Sequence, residues 1–142
     1  MSESMEQLTR FLHDNFAPWV IDLGLHVTGS DAGSVQMRLP AAPRLDRVGQ
    51  VLCGQALAAA ADTAMVLAVV AARGAGITPG TVDLATSFIR PAIGCDVLIR
   101  AEVLQAGRTL AFCRAELTSS GTGKLLASAT ATYVLGAAPG SA

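Results

Sequence analysis

The chain has little lysine, few aromatics, few histidines and no run of charge. Lys124 is its only lysine beside nine arginines, and six aromatic residues serve 142 positions. Ten basic residues face eleven acidic ones, for a net charge of −1. That balance excludes the basic surface of a nucleic-acid binder. Cys53, Cys95 and Cys113 are odd in number and show no CxxC spacing. Neither a disulfide framework nor a zinc site is therefore expected. Residues 1–6 are polar and acidic, unlike the basic-then-apolar start of a signal peptide. A reducing, cytoplasmic location is the expectation. No repeat at a solenoid period is visible. A chain of this length is read as one domain, 1–142.

What the chain does have is one long apolar run, Val51 to Ala72. It holds nine alanines among 22 residues, and one charge, Asp62. Glycine and proline are absent after Gly54, so intrinsic propensity favours a helix. Having almost no polar face, the helix should be enclosed on most sides. The run is long enough to cross a bilayer. An aspartate at its centre and the lack of flanking Lys/Arg clusters or an aromatic belt argue instead for a buried helix. A carboxylate there is costly unless solvated, hydrogen-bonded or neutralised, which makes Asp62 the candidate chemical centre.

The rest reads as its housing. Residues 4–16 show helical spacing, with Ser4 and Gln7 placed as a capping box and Pro18 as the stop. From Ile21 the period becomes two, through Leu23, Leu25 and Val27. A GSDAGS turn follows, then Val35, Met37 and Leu39, which together suggest a hairpin. Residues 40–50 form a loop feeding Cys53-Gly54-Gln55, and Gly74 and Gly76 close the helix. Four strands should follow: Thr81 to Arg90, Cys95 to Gln105, Thr109 to Ser119, and Leu125 to Leu135. Short turns make the last three antiparallel neighbours, and 136–142 should fray. The expected fold is α+β, an antiparallel sheet of five or six strands curled round one long buried helix.

Several words in this layout resemble the hotdog-fold acyl-CoA thioesterases, the PaaI-like, 4-hydroxybenzoyl-CoA thioesterase superfamily. They are Gly49-Gln50-Val51-Leu52-Cys53-Gly54, Ala61-Asp62-Thr63-Ala64 and Thr81-Val82-Asp83-Leu84 running to Phe88-Ile89-Arg90-Pro91. Gly107 to Phe112 and Thr122 to Leu125 are similar in type and place. The resemblance covers about residues 44–136. It implies hydrolysis of an acyl- or aryl-CoA at a site shared across a dimer. It also implies no metal and no cofactor beyond the coenzyme A of the substrate, in a homodimer or homotetramer. Asp62 would be general base or nucleophile, Gly54 and Gln55 would polarise the thioester carbonyl, and Thr81 would help place water or the carboxylate. Gln50, Cys53, Thr63, Arg90 and Pro91 would contact substrate, Arg90 through a CoA phosphate. Asp46, Arg47 and Gln50 compete for a carbonyl-holding place in the entry loop. Many members carry His-Gly-Gly where this chain has Cys53-Gly54-Gln55, which keeps a non-catalytic acyl-CoA binder as the alternative. A hydratase would want a histidine near the central helix, and His13 and His26 lie far from it in sequence. A thiol nucleophile at Cys53 would want one too.

Spacing adds an argument of its own. Asp62 lies eight residues beyond Gly54, roughly 12 Å along a helix. One helix start and its own Asp62 are thus too far apart to act on one carbonyl. An antiparallel partner would bring a second helix start beside Asp62.

Overall fold

The computed structural model describes residues 4–137. Its six-stranded sheet has the order β1-β2-β6-β7-β8-β5, with every neighbouring pair antiparallel. The strands are β1 His26–Asp31, β2 Ser34–Leu39, β5 Ile77–Phe88, β6 Val97–Ala106, β7 Leu110–Ser119 and β8 Leu125–Ala137. A two-residue pair, β3 Asp46–Arg47 and β4 Val51–Leu52, sits in the loop before the central helix. Helices are α1 Met5–Asn15, α2 Pro18–Ile21 and α3 Gly54–Arg73.

Helix α3 is the axis of the hotdog arrangement. Thirteen of its twenty residues are buried, so length and apolar composition here serve a core rather than a bilayer. Alanines at 56, 60, 61, 64, 68 and 71 let the sheet approach its backbone. Val35, Met37, Val97, Ile99, Leu117 and Tyr133 close on it from β2, β6, β7 and β8. The helix begins at Cys53 in extended backbone and ends at Gly74, where φ is +90°. Only the stripe Gln55, Ala58, Ala59 and Asp62, at helical spacing, is left uncovered along its middle.

Two local expectations are corrected. Pro18 does not merely stop α1, which ends at Asn15; it opens α2 at the first helical position. A fixed φ and a missing N–H suit proline to that place. Ile21 therefore ends a helical turn and is not in a strand. Leu23 and Leu25 are buried from the turn after it, and β1 begins only at His26. The expected GSDAGS turn is also shorter. Gly29, Ser30 and Asp31 belong to β1, and the chain reverses over Ala32-Gly33 alone. Gly33, at φ +76°, supplies the left-handed residue a two-residue hairpin needs.

The remaining differences lie at element ends. β5 starts at Ile77, upstream of Thr81, and carries Pro79 within it. Proline is tolerated because β5 is an edge strand, whose only sheet neighbour among the described residues is β8. β8 runs on through Gly136 and Ala137, paired with Thr78 and Ile77. Those two residues are thus in the sheet and not frayed, and 138–142 lie outside the described residues.

Candidate active site

The site has two halves on one face of α3, at either end of the uncovered stripe. The first is the helix start. The N–H groups of Gly54, Gln55 and Ala56 precede the first intrahelical bond, which Leu57 donates to the Cys53 carbonyl at 3.3 Å. Such orphan donors carry the positive end of the helix dipole. A cavity of about 450 Å³ opens onto them, lined by Arg47, Leu57, Phe88, Arg90 and Pro91 as well as Gly54 itself. The glycine leaves room beside Phe88. A Cβ at position 54 would lie 3.3 Å from Phe88 Cζ and would crowd the cavity wall.

Residues from the sequence reading divide around this cavity. Gly54, Arg90 and Pro91 line it together. Arg90 is anchored there by one Nη, which donates to the Leu125 carbonyl at 2.8 Å. Of Asp46, Arg47 and Gln50, Arg47 alone lines this cavity. Asp46 and Gln50 line a neighbouring one of about 550 Å³, which Arg47 also borders. Gln50 has φ +60°, a left-handed conformation in the three-residue loop joining β3 to β4. Cys53 is half-buried and its side chain makes no capping bond. Gln55 is exposed on the stripe. Thr63 lies in the core, 2% exposed, and its hydroxyl donates to the Ala59 carbonyl at 2.7 Å within the helix.

The second half is the carboxylate of Asp62, half-buried on the stripe. Thr81 on β5 donates to it, with Oγ1 3.2 Å from Oδ1 and 3.5 Å from Oδ2. Tyr133 on β8 donates to Oδ1 at 2.7 Å and also lies 3.2 Å from the Asp62 carbonyl. Thr81 and Tyr133 are direct register partners, so two adjacent strands present hydroxyls side by side to one carboxylate. Burial first, then the Asp62 charge, pushes the Tyr133 phenol well above its ordinary value and keeps it a donor. Sequence reasoning missed Tyr133. Its signal was parity: it is the chain's only tyrosine and continues the inward series Ala127, Ala129, Ala131. Among the described residues, no three His, Cys, Asp or Glu side chains gather as a metal would need.

Between the halves runs the open edge of β5. Its residues 81–85 are exposed, Val82 at 62% and Leu84 at 36%, and Phe88 near its end at 55%. Thr81 marks the Asp62 end, and Phe88 marks the Gly54 end.

Residues 49–126 match the family model of the thioesterase superfamily. Human acyl-coenzyme A thioesterase 13 is 45% identical over 60 residues, which cover 41% of this chain. The matched stretch spans 43% of that relative's length. Among solved structures, zebrafish thioesterase superfamily member 2 is 29% identical, with a TM-score of 0.78 over 93% of this chain and 95% of that one. A phenylacetic acid degradation-related protein of Ralstonia eutropha is 30% identical, with a TM-score of 0.78 over 90% and 98%.

Proposed function

The chain belongs to the thioesterase superfamily, and we propose on that premise that it hydrolyses the thioester of an acyl- or aryl-CoA to the free acid and CoA. The observation that carries the reading is Asp62, a hydroxyl-held carboxylate at one end of a helix stripe whose other end offers free N–H groups beside a cavity. Thioester hydrolysis needs both parts: a base for water, and donors for the oxygen that gains charge. The likeness to human acyl-coenzyme A thioesterase 13 and to the phenylacetic acid degradation-related protein of Ralstonia supports acyl-CoA and arylacetyl groups as the first to try.

The two halves are joined by a second copy. β5 pairs antiparallel with β5 of the partner about Leu84, which faces the partner's Leu84 across the two-fold axis. That pairing sets Thr81, beside Asp62, opposite the partner's Ser87, next to the Phe88 that flanks the partner's Gly54. Each site then takes its carboxylate from one protomer and its helix start from the other. The open β5 edge and its exposed apolar residues support this, because an uncovered edge strand is a template for pairing.

In the reaction the thioester carbonyl oxygen faces the helix-start N–H groups. Water, giving its proton to Asp62, bonds to the carbonyl carbon. Collapse of the adduct breaks the C–S bond, and the proton passes to the departing sulfur as CoA thiol. If Asp62 instead attacks directly, its oxygen bonds to the carbonyl carbon as the C–S bond breaks and CoA leaves as thiolate; water then adds to the aspartyl carbonyl of the anhydride, releasing the acid, and its proton passes to the thiolate. A single turnover in oxygen-labelled water separates the routes, because only the second places label in Asp62.

The function is tested by thiol release from acetyl-, lauroyl-, benzoyl- and phenylacetyl-CoA. Steady release by the wild type, lost in Asp62→Asn, is the expected result. The Cys53-Gly54-Gln55 entry favours one other reading, a non-catalytic acyl-CoA binder, which would bind these esters without releasing thiol. Arg90 gives a separate prediction. Its guanidinium suits a CoA phosphate, a contact equal in ground and transition states. Arg90→Ala should raise KM about tenfold with kcat changed less than about twofold. An unchanged KM would return Arg90 to its bond with Leu125.

A further inference from the structure

Resting on the hydrolase reading, we propose that Tyr133 is the positioning residue for Asp62: its phenol and the Thr81 hydroxyl together occupy Oδ1 and leave Oδ2 as the oxygen that acts. A carboxylate oxygen has room for about two in-plane donors. Tyr133 at 2.7 Å and Thr81 at 3.2 Å fill that capacity at Oδ1. Among the described residues, Oδ2 has only the long 3.5 Å approach of Thr81. It is therefore the oxygen with capacity to accept from a water.

The direction of the Tyr133 bond is fixed by its surroundings. The ring is fully buried, and a buried phenol needs a partner. Asp62 on α3 and Cys113 on β7 are the titratable groups acting on it, and Thr81 on β5 is neutral. Burial pushes the Cys113 thiol up to about 12, so it brings no charge at neutral pH. The phenol donates, and of its two acceptors the charged carboxylate is the nearer. A side chain so buried cannot itself meet substrate. Its effect passes through Asp62, by holding the carboxylate plane against rotation.

The variant is Tyr133→Phe, which removes one oxygen and keeps the ring. On whichever ester of the panel the wild type hydrolyses, kcat should fall about tenfold with KM within about twofold, since the contact serves the reacting group and not the bound ester. A merely structural tyrosine predicts something else: a lower melting temperature with kcat unchanged, which would overturn the proposal. A second arm needs no turnover. The carbon-13 carboxyl resonance of Asp62 at neutral pH, assigned by its loss in Asp62→Asn, should move in Tyr133→Phe, because the phenol no longer donates to Oδ1. Coincident resonances would overturn the contact. Wild-type protein inert toward the whole panel would end the hydrolase reading, and the carboxyl resonance would still decide the role of Tyr133.

Discussion

Asp62→Ala should fold and lose at least about a hundredfold in kcat, the scale on which removing a general base is felt. Folding should survive because Asp62 is half-buried and its two donors are hydroxyls. Thr81 is exposed and turns to water. Tyr133 keeps an acceptor in the backbone carbonyl of residue 62, 3.2 Å away. The cost to stability should thus be about 1.5–3 kcal/mol, one charge-assisted hydrogen bond. Cys53→Ser is the matching control. Serine is a better cap than cysteine, and the Cys53 side chain makes no capping bond that would be lost. Activity within about threefold of wild type is expected, since the helix start acts through backbone N–H groups, whereas a thiol mechanism would collapse because an unactivated hydroxyl cannot stand in for a thiolate nucleophile. A collapse in Cys53→Ser alongside a mild Asp62→Ala would move the chemistry to the thiol.

Leu84→Glu should be nearly as damaging, for another reason. Leu84 sits on the open edge strand, partly exposed, and a charge there costs a single copy little. In the paired form it lies at the centre of the two-fold contact. Two carboxylates would then meet across the axis without partners, at a cost of several kcal/mol. The expected result is a protein with the wild-type circular dichroism spectrum that sediments as a monomer. Its turnover should fall at least about a hundredfold, because each copy is left with half a site. A monomeric Leu84→Glu with full activity would show that one chain suffices.

The long helix, the order of elements and the antiparallel β6-β7-β8 run were legible because each rests on a strong periodic pattern bounded by glycine or proline. Composition gave α3, and parity gave the strands. Legibility failed where one residue had two uses. Pro18 ends one helix and starts another, and the apolar alternation at Ile21, Leu23 and Leu25 continues through a turn. Asp62, Gly54 and Arg90 were readable as single residues whose chemistry is odd for their surroundings or apt for an anion. Tyr133 was not, because its partner lies 71 positions away and only the β5–β8 register brings Thr81 beside it. Choosing among Asp46, Arg47 and Gln50 also needed the β3–β4 hairpin, whose three-residue loop turns Gln50 away from the cavity that Arg47 lines. Two residues of pairing are too few to leave a pattern in sequence.

The claim that each site joins Asp62 of one protomer to the Gly54 end of another is tested most directly by mixing two inactive variants. Asp62→Ala lacks the carboxylate. Gly54→Val keeps it but blocks the helix start, where even a Cβ would press on Phe88. Co-refolded in equal amounts, half of the dimers carry both variants, and each of those has one intact site. Activity should return to about a quarter of the wild-type value, as two-fold symmetry requires. A mixture as inactive as its components would contradict the shared site.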